Sequence, residues 1–109
     1  MIINPECRWT VYYHQNKLNG KIYVGITSQS VERRWQNGHG YDTQMFGNAV
    51  RKYGWNEGFY HEIYASGLTE NEAKKMETTL IKLFKTYDRN YGYNLTSGGD
   101  GVVPPPRPV

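Results

Sequence analysis

Residues 8–26 decide the fold: Arg8-Trp9-Thr10-Val11-Tyr12-Tyr13-His14, then Gln15-Asn16-Lys17-Leu18-Asn19-Gly20, then Lys21-Ile22-Tyr23-Val24-Gly25-Ile26. The first segment is β-branched and aromatic and reads as a strand. Asn16 to Gly20 reads as a turn, with Asn19-Gly20 its strongest local signal. Lys21 to Ile26 is the return strand. Its side chains alternate: Ile22, Val24 and Ile26 face one way, Lys21, Tyr23 and Gly25 the other. If Val11 and Val24 share the apolar face, then Tyr12, His14 and Tyr23 share the opposite one. Two readings of those tyrosines stand side by side. A helix packed over that second face would simply bury them, or the two phenols belong to a polar site.

Outward from the hairpin, Ser30 is placed to cap a short helix over residues 31–37, ended by Gly38-His39-Gly40. Val31, Arg34 and Trp35 fall on one side of that helix, which draws Arg34 inward and leaves Arg33 on the surface. An inward arginine calls for a carboxylate or a phosphate. A second helix opens at Asp42 or Thr43, carries Phe46, Ala49, Val50 and Tyr53 at helical spacing, and stops at Gly54. Residues 58–64 form a third strand. Thr69-Glu70-Asn71-Glu72 is a capping box, and the helix behind it runs to about Lys85. On that helix Glu77 falls within the arc of Ala73, Leu80, Ile81 and Phe84. A carboxylate there needs a cation or a hydrogen-bond network, because burying it unpaired costs several kcal/mol. Arg34 as a structural partner and a divalent metal are the two candidates.

Composition narrows the class. The 109 residues suit one compact domain, and Cys7 is the only cysteine, so no internal disulfide staples it. No apolar run is long enough for a membrane span, and the amino-terminal residues do not read as a signal peptide. A cytoplasmic protein without a membrane partner is expected. Residues 8–53 hold seven Lys or Arg against Glu32 and Asp42, whereas residues 54–109 hold six against seven acids. A basic first half suits a polyanionic partner, although ordinary solvated surface charge gives the same balance. Ten tyrosines supply rings that pack and hydroxyls that bond. The segment from Tyr91 to Gly101 is glycine-rich without P-loop spacing, and residues 102–109 read as an extended, proline-rich tail.

Taken in order, Thr10-Val11-Tyr12, Tyr23-Val24-Gly25, Arg34-Trp35, Glu77 with Leu80-Ile81, and Tyr93-Asn94 resemble the motifs of the GIY-YIG nuclease superfamily, most like its phage and mobile-element, homing-type branch. The resemblance covers residues 9 to about 101. It implies an α+β fold, a small three-stranded antiparallel sheet flanked by helices, with a nuclease domain over residues 1–101. It also implies an endonuclease that hydrolyses DNA with Mg²⁺ (or Mn²⁺) held by Glu77 as the single metal. Tyr12 is the first choice as base, with Tyr23 placing water or sharing the proton. Arg34 would bind the scissile phosphate and Asn94 would orient Glu77 or a phosphate. Lys21, Arg33 and Gly25 complete the expected substrate-binding set. The chain departs from the pattern at Thr10, which replaces a glycine, and at Gly38, which stands where many members place a histidine or lysine. His39, one residue later, is the candidate to fill that role, and His14 is the second. One site cuts one strand, so a double-strand break needs a transient dimer on DNA or sequential nicks. The alternative from another class is a nucleic-acid-binding module on the same fold that does no chemistry.

Overall fold

The computed structural model describes residues 7–95; the glycine-rich end and the proline tail lie outside them. Strands β1 (Trp9–Asn16) and β2 (Ile22–Thr27) form the expected hairpin. A short helix α1 (Val31–Trp35) is capped by Ser30, whose hydroxyl accepts from the Arg33 backbone N–H at 3.3 Å. The chain then tightens into a 3₁₀ segment, Gln36–Tyr41, instead of continuing α-helical to residue 37. The cause is local: Gln36 and Asn37 adopt left-handed backbone, and Gly38 sits at φ 94° against Val50 and Trp55, where a Cβ would meet Val50 at 2.7 Å. Helices α2 (Met45–Tyr53) and α3 (Trp55–Gly58) follow, then β3 (Phe59–Leu68) and α4 (Glu70–Phe84). The Thr69/Glu72 capping box forms as read, at 2.9 and 3.2 Å.

The sheet is antiparallel with order β2-β1-β3, so the first strand is central. Opposite residues share a face, and the register pairs Tyr12 with Gly25 and His14 with Tyr23 on one side of β1. On the other side of β1, His14 pairs with His61, and the ladder slips near Val11 and Tyr12. That slip is bulge-like and re-aims β3 beyond Tyr64.

Each sheet face carries its own core. Val11 and Val24 pack with Ala73, Leu80 and Ile81 of α4. Tyr12 packs with Tyr41, Phe46 and Phe59, bordered by Tyr23, Trp35, Trp55 and Tyr93. Gly25 is required by the second core: a Cβ there would lie 2.5 Å from the Tyr12 hydroxyl oxygen, so the phenol lies across the space a side chain would fill. Among the described residues no helix is long and apolar enough to cross a membrane.

Candidate active site

The site is built on the aromatic face. The hairpin sets Tyr12 and Tyr23 side by side, and α1 delivers Arg34 from above. Arg34 is half-buried, its Nη1 donates to the Gly40 carbonyl at 2.8 Å, and its guanidinium lies 4.4 Å over the Tyr41 ring. Gly40 is small for that reason: a Cβ there would meet the backbone and guanidinium of Arg34. The Tyr23 hydroxyl reaches Gln44 Oε1 at 3.4 Å, and its ring stacks on Phe46 at 4.7 Å.

Both phenols are harder to ionise than free tyrosine. Burial raises Tyr12, Arg34 and a hydrogen bond from Tyr41 lower it, and the charge of Glu77 raises it again. Burial raises Tyr23 as well, with the neighbouring Tyr12 adding to the effect and Arg34 opposing it. Burial works against the charge on Arg34, but the three phenols Tyr12, Tyr41 and Tyr23 more than offset it, so the guanidinium stays cationic.

Glu77 is half-buried on α4, the helix of the opposite face, and its charge nonetheless reaches both phenols. The helical-wheel reading put it in the middle of the apolar arc. It is half-buried there, beside the buried Ala73, Leu80 and Ile81. Among the described residues no cluster of three or more His, Cys, Asp or Glu side chains exists. A donor set of one carboxylate among phenols is wrong for zinc, which wants three or four nitrogen or sulfur ligands. It fits a hard cation that keeps most of its water and takes phosphate oxygen, as Mg²⁺ does.

Asn94 does something the sequence did not announce. Its Oδ1 accepts from the Val24 backbone N–H at 2.9 Å and its Nδ2 donates to the Val24 carbonyl at 2.8 Å. It clamps β2 midway between Tyr23 and Gly25 by holding the backbone of the strand that carries both. A cleft of about 320 Å³ opens beside Asn94, lined among others by Lys21, Lys52, Arg89, Met45 and Tyr93. Lys21 and Asn94 are the expected site residues on its wall; the phenols, Arg34 and Glu77 are not.

Two expected site residues lie apart from the phenols. His39 is exposed, its side chain 76% accessible, and its Nδ1 faces Asp42 at 3.2 Å. The left-handed turn at Gln36 and Asn37 swings it away from the phenols, and Tyr41 takes the place beside Tyr12. Arg33 is exposed on α1, as its side of the helix predicts. His14, the second histidine considered, is completely buried at the centre of the aromatic cluster. Tyr41 and His61 were missed. Tyr41 sits in an irregular segment with no periodicity to mark it, and His61 becomes visible only when the β1–β3 register is known.

With this geometry in hand the family is clear. The GIY-YIG catalytic domain pattern matches residues 8–94, and the chain belongs to that nuclease family. Comparison with curated proteins gave no match, and neither did comparison with solved structures.

Proposed function

We propose that this protein is a Mg²⁺-dependent (or Mn²⁺-dependent) DNA endonuclease using one metal ion and a tyrosine base. The observation that carries the reading is the meeting of Tyr12, Tyr23 and Arg34 on one sheet face within reach of the Glu77 charge. Glu77 would hold the ion. When bound, the ion polarises a phosphoryl oxygen and stabilises the leaving 3′ oxygen.

The remaining work belongs to the chain. Arg34 binds the scissile phosphate and the charge that builds on it. It lies beside the buried Tyr12, so a phosphate that draws the guanidinium outward uncovers the Tyr12 oxygen. Water attacks phosphorus, the bond from phosphorus to the 3′ oxygen breaks, and the water proton passes to Tyr12 Oη as the phenol gives up its own. Tyr23 positions that water. Asn94 keeps Tyr23 and Gly25 in register by holding Val24. Lys21 and the cleft beside it carry the flanking strand by phosphate attraction.

Supercoiled plasmid incubated with Mg²⁺ or with EDTA tests the reading. The wild-type protein is expected to nick with Mg²⁺ and not with EDTA, and Glu77→Ala is expected to be inactive. Glu77→Ala protein that nicks at the wild-type rate would rule the scheme out. Binding without nicking would favour the non-catalytic module.

A further inference from the structure

Tyr12 has no exposed surface, and at pH 7 only about one in a thousand ordinary tyrosines is ionised. Burial makes the phenolate scarcer still. A base of this kind needs somewhere to send its proton, and bulk solvent does not reach it. The aromatic face supplies one route. Tyr12 Oη lies 3.1 Å from Tyr41 Oη, which lies 2.9 Å from His14 Nε2. His14 Nδ1 lies 2.9 Å from His61 Nδ1, and His61 Nε2 lies 2.9 Å from the Trp55 carbonyl oxygen. Three of the four side chains are fully buried; His61 is half-buried and opens the line toward solvent.

The far end fixes the sense of every bond. The Trp55 carbonyl only accepts, so His61 Nε2 carries a proton and donates. Neutral His61 therefore accepts at Nδ1, which puts the single proton of neutral His14 on its Nδ1. His14 Nε2 then accepts from the Tyr41 hydroxyl. Tyr41 has one proton, so its oxygen accepts from Tyr12. In this state the Tyr12 hydroxyl points inward and its lone pair is left for the reaction side. An imidazolium at His61 reverses all the links, and Tyr41 then donates to Tyr12, which is the sense that bond has in the structure.

The geometry points to a proton relay in which Tyr12, Tyr41, His14 and His61 carry the proton of the attacking water from the phosphate to the far edge of the sheet; this rests on the endonuclease reading. Atoms balance at each link. The water proton moves to Tyr12 Oη as the Tyr12 proton moves to Tyr41 Oη. The Tyr41 proton moves to His14 Nε2 and the His14 Nδ1 proton to His61 Nδ1. The products are hydroxide bonded to phosphorus and an imidazolium at half-buried His61, which releases its Nε2 proton to water when its bond to the Trp55 carbonyl opens. No free phenolate forms, and the terminal base is an imidazole that is neutral at pH 7 instead of a phenol that is almost never ionised.

The surroundings suit that use. Trp35, Phe46 and Trp55 wall His14 with ring centroids at 4.8, 5.6 and 4.8 Å, which keeps water out of the line. Burial holds His14 well below the usual histidine range, and the charges of His61 and Arg34 push it the same way. His14 is thus a carrier and not a resting place. Burial also lowers His61, with its bond to Trp55 opposing and Lys17 assisting. The other ionisable groups around the line are Tyr23 and Glu77, both felt at Tyr12 or Tyr41. Tyr41 and the two histidines are positioning residues, because they act through Tyr12.

Tyr41→Phe cuts the line while keeping the ring, and His61→Gln keeps polar groups but cannot hold the extra proton. Each is expected to lower kcat for Mg²⁺-dependent plasmid nicking about 10- to 100-fold with KM unchanged. The wild-type rate falls as pH drops through the His61 pKa, below about 6.5, and His61→Gln loses that acid limb. Nitrogen NMR of wild-type protein at neutral pH gives an independent reading: His61 protonated at Nε2 and His14 at Nδ1. His14 found protonated at Nε2, or both variants nicking at the wild-type rate with the wild-type pH profile, overturns the relay alone. Wild-type protein inert toward plasmid overturns the endonuclease reading and the relay's catalytic use with it.

Discussion

The two faces of the sheet are built from the same three strands and differ in kind. On the α4 face Val11, Val24, Ala73, Leu80 and Ile81 meet without a polar atom among their side chains. On the other, Tyr12, His14 and Tyr41 are as deeply buried but are joined hydroxyl to ring nitrogen. Apolar packing tolerates change of shape within limits and holds the fold together. A buried polar chain tolerates little, because each unmet donor or acceptor costs about 1–3 kcal/mol. A protein that needed only a second core would fill that face with leucine and phenylalanine. The polar atoms there, together with the half-buried acid on α4, are the mark of chemistry.

The sharpest way to separate the faces is to remove the acid. Glu77→Ala is expected to lower Mg²⁺-dependent nicking by roughly three orders of magnitude while leaving the circular dichroism spectrum unchanged. Leu80→Ala should do the reverse. Leu80 is 3% exposed, and its truncation is expected to cost about 2–5 kcal/mol in urea unfolding with nicking retained below the transition. If Leu80→Ala abolished chemistry in folded protein, the division of labour between the faces would fail.

Gly25→Ala probes the seam between packing and site. Its new Cβ would collide with the Tyr12 hydroxyl, so a loss of about 1–3 kcal/mol in stability is expected, with a larger proportional loss in nicking. The pH dependence of stability reads the aromatic face directly. His14 is buried neutral, so its folded pKa lies below its unfolded value of about 6.5. Below that pH the unfolded chain binds the proton first. His14 therefore adds nothing unfavourable above about pH 6.5 and removes about 1.4 kcal/mol per pH unit as pH falls below it. Urea unfolding between pH 5 and 7 measures the slope, and substitutions on the α4 face should leave it intact. The smallest effect is expected at His39→Ala, which should leave both nicking and the unfolding midpoint unchanged, since that ring faces only Asp42 on the surface.

The same contrast explains what was legible in the sequence. The alternation of Ile22, Val24 and Ile26 and the spacing of Ala73, Leu80 and Ile81 announce the α4 face, because apolar burial follows period. The capping box and the hairpin were equally plain. Tyr12, Tyr23, Arg34 and Glu77 could be named because they sit on regular elements at readable parity. Tyr41 and His61 could not. Tyr41 reaches Tyr12 through a left-handed turn at Gln36 and Asn37, a conformation that costs energy and that no pattern of side chains encodes. His61 meets His14 only through the pairing of β1 with β3, two strands separated in sequence by β2, three α-helices and the 3₁₀ segment. His39 was a natural choice by spacing and was displaced by that same turn. Asn94's two bonds to the Val24 backbone depend on how the chain returns after α4 and carry no signal in the sequence.

Tyr12→Phe bears most directly on the central claim that the aromatic face does chemistry. It keeps the ring, its packing on Gly25 and its neighbours, and removes one oxygen, at a stability cost of about 1 kcal/mol. The measurement is the rate of Mg²⁺-dependent plasmid nicking by folded Tyr12→Phe protein beside wild type. A fall of at least about a hundredfold is expected. Equal rates would mean that the buried phenol is only packing and that the proton of the attacking water leaves by another way.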